Sequence, residues 1–405
     1  MRGNKVKIAF FCEGFCKSSS IAQPWRHVYE LAKRMKSLGN SICIFTDELR
    51  GFPQREKLDD ILIHRVKRNG LLLNSEDLLE SFSKYDADVI NWHGGLLSAI
   101  YFPRLQGNLK SGVVWTVDKG KIFPEDARNL KASDIPRLYK FWTNILYSLT
   151  PTVIVRKGAN TLQVRKIITL SKRLKKYFEG IGINQKKIIS IPSGVDTKVF
   201  RPLSSSDAHN QKTAFGFKRD DQIILFFGPL SSPRGADVLI SAMPRILRKI
   251  PSAKLVLLAR KSIKDSTEKK LENAARKHPA IRLLDGAIKQ DLLIRHLGTA
   301  DVIALPFRFW PYTECPLTIL EGMAMAKPVV TTYAGSLPEI VKDGETGLLV
   351  PPGDLESFSR VVIRSLRNKD LSSKIGRRAR RYVEENYDWD FITQLTLKVF
   401  EEIIE

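Results

Sequence analysis

A chain of 405 residues exceeds one ordinary domain and can bury a large core, so two domains are the expected division. Its composition is that of a folded protein. No apolar run approaches the roughly 20 residues that cross a bilayer, and four scattered cysteines without a His pair exclude a zinc site and suit a reduced, cytoplasmic protein. Lys and Arg number 66 against 43 acidic residues, and the resulting +23 points to polyanions: nucleotide phosphates, nucleic acid or an anionic membrane face.

The opening MRGNKVKIAFFCEGF has a basic start, but its apolar part is too short for a signal peptide and reads as a buried strand, Lys5–Cys12. A loop over Glu13–Pro24 follows, then a helix over Trp25–Ser37 with Val28, Leu31, Ala32 and Met35 on one face. Gly39 ends it and Ile42–Thr46 is the next strand, so the chain begins as the first unit of a doubly wound sheet. Ile61–Val66, Val89–Trp92 and Val113–Thr116 continue that sheet, and His93 and Asp118 stand just beyond the last two strands. A lone His at a strand end also serves as a structural residue. Over residues 133–149, Phe141, Trp142 and other apolar residues share a side with Arg137 and Lys140 between them. That pattern fits a core helix or an interfacial one. Ile167–Leu170 reads as a strand with Ser171 as N-cap of a basic helix. Ser204–Gln211 is polar and loop-like, which places a domain boundary near residue 200.

The second half opens with a strand, Gln222–Phe227, and a turn, Gly228–Gly235, leading into a helix from about Ala236. A glycine turn between strand and helix aims N–H groups and the positive helix end at an anion. Lys254–Ala259, Ile281–Leu284 and Val302–Pro306 add strands. In Glu314–Val330, ECPLTILEGMAMAKPVV, the residues Leu317, Leu320, Met323 and Ala324 recur at helical spacing. Pro328 stops the helix and β-branched Val329, Val330 and Thr331 follow as a buried strand. Glu314 lies in the approach and Glu321 on the helix among apolar neighbours; carboxylates near a helix start also act as dipole partners. Helices are expected over Asp354–Leu366, Leu371–Glu385 and Asp390–Ile404. Asp388 and Asp390 spell D-x-D, a metal-binding pattern in a different transferase fold, but before an amphipathic helix such acids serve as caps.

Glu314–Val330, Ala334–Val341 and Asp343–Asp354, with Lys187–Asp196 and the Gly228–Gly235 turn, form a long ordered series. It resembles the retaining nucleotide-sugar glycosyltransferases of family 4. The resemblance implies the α/β GT-B fold: two Rossmann-like, doubly wound domains facing a cleft, with a C-terminal helix packing back on the first. The domains would be an acceptor-side domain over 1–200, a donor-binding domain over 201–385 and the closing helix over 386–405. It implies that Glu321 holds the ribose hydroxyls of the donor and that Glu314 contacts the donor sugar. Gly228, Arg234, Leu317, Thr318, Gly335, Ser336 and Glu339 would line the donor site, with Arg234 and the Gly335–Glu339 loop on its diphosphate. Asp118 stands where many members carry a histidine near the reacting sugar, and His93 is the nearby imidazole. The chain departs from the family at three further points. Six residues rather than seven separate the two glutamates, so Thr313 falls at the first position when the helices are aligned. Pro229 replaces a diphosphate-binding arginine, for which Arg260 and Arg308 are candidate substitutes, and the first loop lacks paired glycines.

The function expected is transfer of a sugar from a nucleotide-diphosphate sugar to a glycan or lipid-linked acceptor, with retention and with neither metal nor cofactor. The alternative is a weak or inactive GT-B-like protein that binds nucleotide-sugar or glycan. Charge alone suggests a nucleic-acid binder, and no motif for that task is present. The chain would be cytoplasmic or peripheral to an anionic membrane through Phe141, Trp142 and the basic run Arg377–Arg381.

Overall fold

The computed structural model describes residues 5–19, 23–70, 72–118, 150–260, 266–286, 288–308 and 314–404. Residues 133–149, Thr313 and the Phe141–Trp142 pair lie outside them.

Two parallel sheets carry the architecture. The first contains β1 (Lys7–Cys12), β2 (Ser41–Asp47), β3 (Arg55–Leu58), β4 (Ile61–Val66), β7 (Val89–His93), β8 (Gly112–Val117), β9 (Val164–Thr169) and β10 (Ile188–Ser190). Its order is β10-β9-β8-β7-β1-β2-β4-β3, with only the edge strand β3 antiparallel. A small hairpin, β5 (Arg68–Asn69) and β6 (Leu72–Leu73), stands apart. The second sheet contains β11 (Gln222–Gly228), β12 (Ala253–Arg260), β13 (Ile281–Gly286), β14 (Val302–Ala304), β15 (Val329–Thr332) and β16 (Leu348–Val350). Its order is β13-β12-β11-β14-β15-β16, all parallel. Each sheet reverses its strand order next to its first strand, the arrangement that opens a crevice at the strands' C-terminal ends.

The strands are apolar on both faces because both faces are covered. In β1, Ile8, Phe10 and Cys12 belong to one core, while Ala9 and Phe11 join Trp92 and Trp115 in another. The first of these cores runs on into the second sheet. The closing helix Trp389–Ile404 packs across the first sheet. Trp389 is fully buried 5.4 Å from the His27 ring, and Phe400 meets Phe10 at 6.3 Å between centroids.

Three sequence expectations change. Ser204–Gln211 is no loop: Ser205–Ala214 is a helix capped by Ser204, whose hydroxyl accepts from the Asp207 N–H. It buries no residue, so it lacks the apolar periodicity by which a helix is recognised. Helix Ser75–Tyr85, capped by Asn74, and helix Thr152–Ala159 carried too short an apolar face to be predicted. The basic run Arg377–Arg381 is not one continuous surface: the Arg380 side chain turns inward to the carbonyls of Ala324 (2.8 Å), Thr197 (2.9 Å) and Phe200. No helix among the described residues is long and apolar enough to cross a membrane.

Candidate active site

In the second sheet β11, β14 and β15 are neighbours. Their C-terminal ends carry the glycine turn, the approach to Glu314 and the Ala334–Leu337 turn, so segments far apart in sequence share one end of one sheet. Gly228 (φ +128°) leaves β11, and Gly235 (φ +74°) precedes helix Ala236–Lys249. Only glycine serves at Gly235: its φ is left-handed and a Cβ would overlap the carbonyl oxygen of Pro306. Within this turn the Arg234 guanidinium folds back over Gly228, with Nη1 3.1 Å from where a Cβ would lie, and it stands 5.4 Å from the Phe307 ring. A cation thus sits beside the amino end of a 14-residue helix, where an anion is favoured. Arg308, a candidate for the missing base, is held instead by Asp237 and by its own backbone N–H to Pro233 O (3.0 Å). The side chain of Arg260, the other candidate, lies outside the described residues.

Helix Leu317–Ala324 starts after Pro316 and buries nearly every side chain, Glu321 included. The Arg26 Nη1 donates to Glu321 Oε1 at 2.8 Å from helix Trp25–Ser37 of the other domain. Thr318 Oγ1, in the first turn, is buried without a hydrogen-bond partner among the described residues, and Leu317 is buried beside it. Glu314 is a crossing point between the domains. Its carboxylate accepts from Ser171 Oγ (2.9 Å), its N–H donates to Asp118 O (3.2 Å), and its carbonyl accepts from the Ser336 hydroxyl. Gly335 (φ +54°) turns the chain so that Ser336 can reach it. Glu339 accepts from the backbone N–H groups of Lys172 (2.6 Å) and Arg173 (2.7 Å). It therefore sits on the amino end of helix Lys172–Gly180, whose cap is Ser171 as expected. A cavity of about 470 Å³ lies there, lined by Lys172, Arg173, Lys176, Tyr177 and Glu339.

On the first sheet, β9, β8, β7 and β1 are consecutive neighbours, which lines up Ser171, Asp118, His93 and Glu13 at their ends. His93 is the last residue of β7, fully buried, with Nε2 3.8 Å from Asp118 Oδ2 and neither ring nitrogen hydrogen-bonded among the described residues. Both residues line a small cavity of about 40 Å³ with Cys12, Glu13 and Ser98. The His27 ring lies 4.9 Å from His93. Burial, and then the charge of His93, hold the His27 imidazole well below its usual pKa, so it is neutral while it shares a hydrogen bond with Ser193 Oγ (2.9 Å).

The structure thus gathers Glu314, Ser336, Glu339, Asp118 and His93 around the contact between the two sheets. Glu321 meets the first domain through Arg26, and Gly228 and Arg234 occupy the adjoining strand end. Sequence reasoning missed Arg26, which carries no local signal, and it read Ser171 as a cap without its second bond to Glu314. Asp388 and Asp390 are occupied elsewhere. Asp388 takes the Thr197 hydroxyl and the Asp390 N–H (2.8 Å), and Asp390 pairs with Arg34 (2.9 Å) and Lys198 (2.8 Å). Among the described residues no group of three or more His, Cys, Asp or Glu is placed to hold a metal ion.

Residues 25–199 match Glycosyltransferase Family 4 and residues 221–368 match Glycosyl transferases group 1. An uncharacterized glycosyltransferase of Methanocaldococcus jannaschii is 31% identical over 248 residues; the match spans 61% of this chain and 62% of that relative. The mannosylfructose-phosphate synthase of Agrobacterium fabrum is 23% identical over 93% of this chain and 85% of its own length. In three dimensions, sucrose-phosphate synthase from Thermosynechococcus elongatus superposes with a TM-score of 0.77 at 18% identity, over 98% of this chain and 99% of that one. The fold is GT-B, and the chain belongs to glycosyltransferase family 4.

Proposed function

We propose that the protein transfers a sugar from a nucleotide-diphosphate sugar to a glycan or lipid-linked acceptor, with retention and without a metal. The observation that carries this reading is the convergence of the Gly228–Gly235 turn, the Glu314–Glu321 segment and the Gly335–Glu339 turn on neighbouring strand ends, opposite Ser171, Asp118 and His93. The chemical demand is a diphosphate whose negative charge grows as the glycosidic bond breaks. Arg234 and the amino end of helix Ala236–Lys249 are fixed positive groups that meet it without rearrangement. The N–H groups of the Gly335 turn add to them. Glu321 would take two ribose hydroxyls, with Arg26 fixing its carboxylate, and Thr318 Oγ1 is a buried polar atom suited to the same ligand. Glu314 would orient the sugar, while His93 and Asp118 would face the acceptor hydroxyl.

The metal-free reading rests on this supply of positive groups and on the structural use of Asp388 and Asp390. Attachment to an anionic membrane face is part of the same proposal: Arg377, Arg378 and Arg381 are exposed, and each such base near an anionic surface contributes about 1 kcal/mol. The deciding experiment is a thermal-shift screen against UDP-, GDP-, ADP- and CMP-sugars, followed by product analysis of anomeric configuration with the sugar that binds. A stabilising nucleotide-sugar names the donor by mass action. An inverted product overturns retention, and donor binding with no transfer or hydrolysis marks a protein that binds without turnover.

A further inference from the structure

Away from the residues assigned above, the C-terminal ends of β2 and β4 and the loop leaving β2 enclose a second depression of about 460 Å³. It is lined by Glu48, Arg50, Phe52, Gln54, Arg65 and Lys67. Arg65 is its buried member, 1% exposed, an uncommon place for an arginine. Its Nη2 meets Glu56 Oε1 (2.5 Å), its Nη1 donates to Pro53 O (2.7 Å), and the guanidinium lies 5.0 Å from the centroid of the Phe52 ring. Its Nε is buried and has no hydrogen-bond partner among the described residues. A buried donor left unpaired is destabilising unless a ligand or water takes it. Arg50 and Lys67 are exposed on the same wall, and neither side chain is in an ion pair among the described residues. The acids around it are engaged: Glu48 Oε1 accepts from the Arg68 N–H (3.2 Å), Asp77 Oδ2 accepts from the Lys67 N–H (2.6 Å), and Glu56 is held by Arg65.

We infer that this depression is an acceptor subsite for an oxyanion, a phosphate or carboxylate carried by the acceptor. The inference rests on the transferase reading and deepens it. Position supports the link. Ligands of such sheets bind at the strands' C-terminal ends, and β4 lies two places from β1, roughly 10 Å away at the usual strand spacing. Arg68, next to Lys67, connects the two places: it pairs with Asp47 (2.9 Å) and with Glu13 (3.3 Å), and Glu13 lines the small cavity beside His93 and Asp118. An acceptor whose reacting hydroxyl faces His93 would carry its anion to Arg65. The planar fork of a guanidinium favours phosphate and carboxylate over neutral hydroxyls.

The test titrates the whole protein with glucose, glucose 6-phosphate and glucuronate by calorimetry, and separately with the nucleotide-sugar from the donor screen. At least one anionic sugar should bind ten times more tightly than glucose. Arg50→Gln/Lys67→Gln, two exposed changes that spare the core, should remove that preference and leave donor affinity and Tm unchanged. Arg65→Lys, which keeps the charge and loses the fork, should weaken the anion as well. For an anion borne on a lipid, cosedimentation with phosphatidylcholine vesicles containing phosphatidic acid should fall in the double variant. Two charges out of a net +23 leave general attraction to the vesicle nearly intact. The subsite is overturned if no anionic probe binds better than its neutral counterpart, or if the double variant binds like the wild type. Donor binding without anion preference removes the subsite and leaves the transferase reading standing. Variant-sensitive anion preference without any donor binding does the reverse.

Discussion

The two sheet ends that face each other are built on different principles. At the second sheet the site is made mostly of backbone: left-handed glycines at 228, 235 and 335, the start of helix Ala236–Lys249, and a short buried helix carrying one carboxylate. At the first sheet it is made of side chains delivered singly by successive strands: Glu13, His93, Asp118 and Ser171. A backbone site tolerates few residue types at each position, so it leaves a long pattern in the sequence. A side-chain site can change its residues with its ligand while the strands stay the same. On the proposed reading, the common donor chemistry falls to the second domain and the individual acceptor chemistry to the first.

The largest expected effect breaks the second domain's half. Arg234→Ala removes the cation folded over Gly228, and losing one donor aimed at developing charge costs on the order of 100- to 1000-fold in turnover. Steady-state kinetics with the identified donor would show it, with the loss in kcat as well as kcat/KM. A loss below threefold would mean that the diphosphate is held elsewhere.

Much of this half was legible because its constraints are local. Gly228–Gly235 and Glu314–Pro328 announce turn, helix and strand by glycine, proline and apolar spacing, and the structure returns helix Leu317–Ala324 and strand Val329–Thr332. What stayed hidden depends on residues far apart in sequence. Arg26 meets Glu321 across 295 positions, and Ser171 meets Glu314 across 143. Nothing in the vicinity of Arg26 or Ser171 encodes such a partner. Helix Ser205–Ala214 was hidden for another reason, since a helix that buries nothing has no apolar stripe to read.

Lys327 tests the rigidity of the same backbone framework. It follows the turn after helix Leu317–Ala324, donates to Gly298 O at 2.8 Å, and burial lowers its pKa to about 8 against the attraction of Asp301. The native chain therefore gives up this proton earlier than the unfolded chain. Between about pH 8 and the ordinary lysine value of 10.5 the unfolded state binds more protons, so this group's contribution to stability rises with pH. The full difference corresponds to about 3 kcal/mol at most, and the residue's partial exposure trims it. Urea unfolding of wild type and Lys327→Met at pH 7.5, 9 and 10.5 should show the wild type gaining on the variant as pH rises. A constant difference would refute the buried charge.

A smaller effect sharpens the comparison where the halves meet. Glu321→Gln should weaken donor binding at least tenfold, since charge-assisted bonds to ribose hydroxyls contribute about 1.5–3 kcal/mol each. It also leaves the Arg26 guanidinium with Glu30 (3.6 Å) as its remaining ion-pair partner among the described residues, so Tm should fall with it. Arg26→Gln separates the two consequences: it removes the same ion pair while keeping the carboxylate, and donor affinity should fall less than in Glu321→Gln. Equal losses in the two variants would make Glu321 a structural partner of Arg26 instead of a ribose ligand.

The smallest expected effect lies at Asp390, where the D-x-D pattern invites a metal reading. Its carboxylate is half-exposed and already shared between Lys198 at 2.8 Å and Arg34 at 2.9 Å, tying the closing helix to the inter-domain segment. Pairs of this exposure contribute no more than about 1 kcal/mol, so Asp390→Asn should lower stability by less than that and leave the transfer rate unchanged. The hydrogen bond from Lys198, and then the pairing with Arg34, hold the carboxyl below its ordinary value of 3.8. Its contribution is therefore complete above that value and disappears as pH falls through the lower native one, and wild type and variant should converge in acid. Wild-type transfer should also persist in excess EDTA. Activity abolished by EDTA and restored by Mn²⁺, with Asp390→Asn inactive, would turn this ion-paired carboxylate into a metal ligand, and the donor's diphosphate would then no longer rest on Arg234 and helix ends alone.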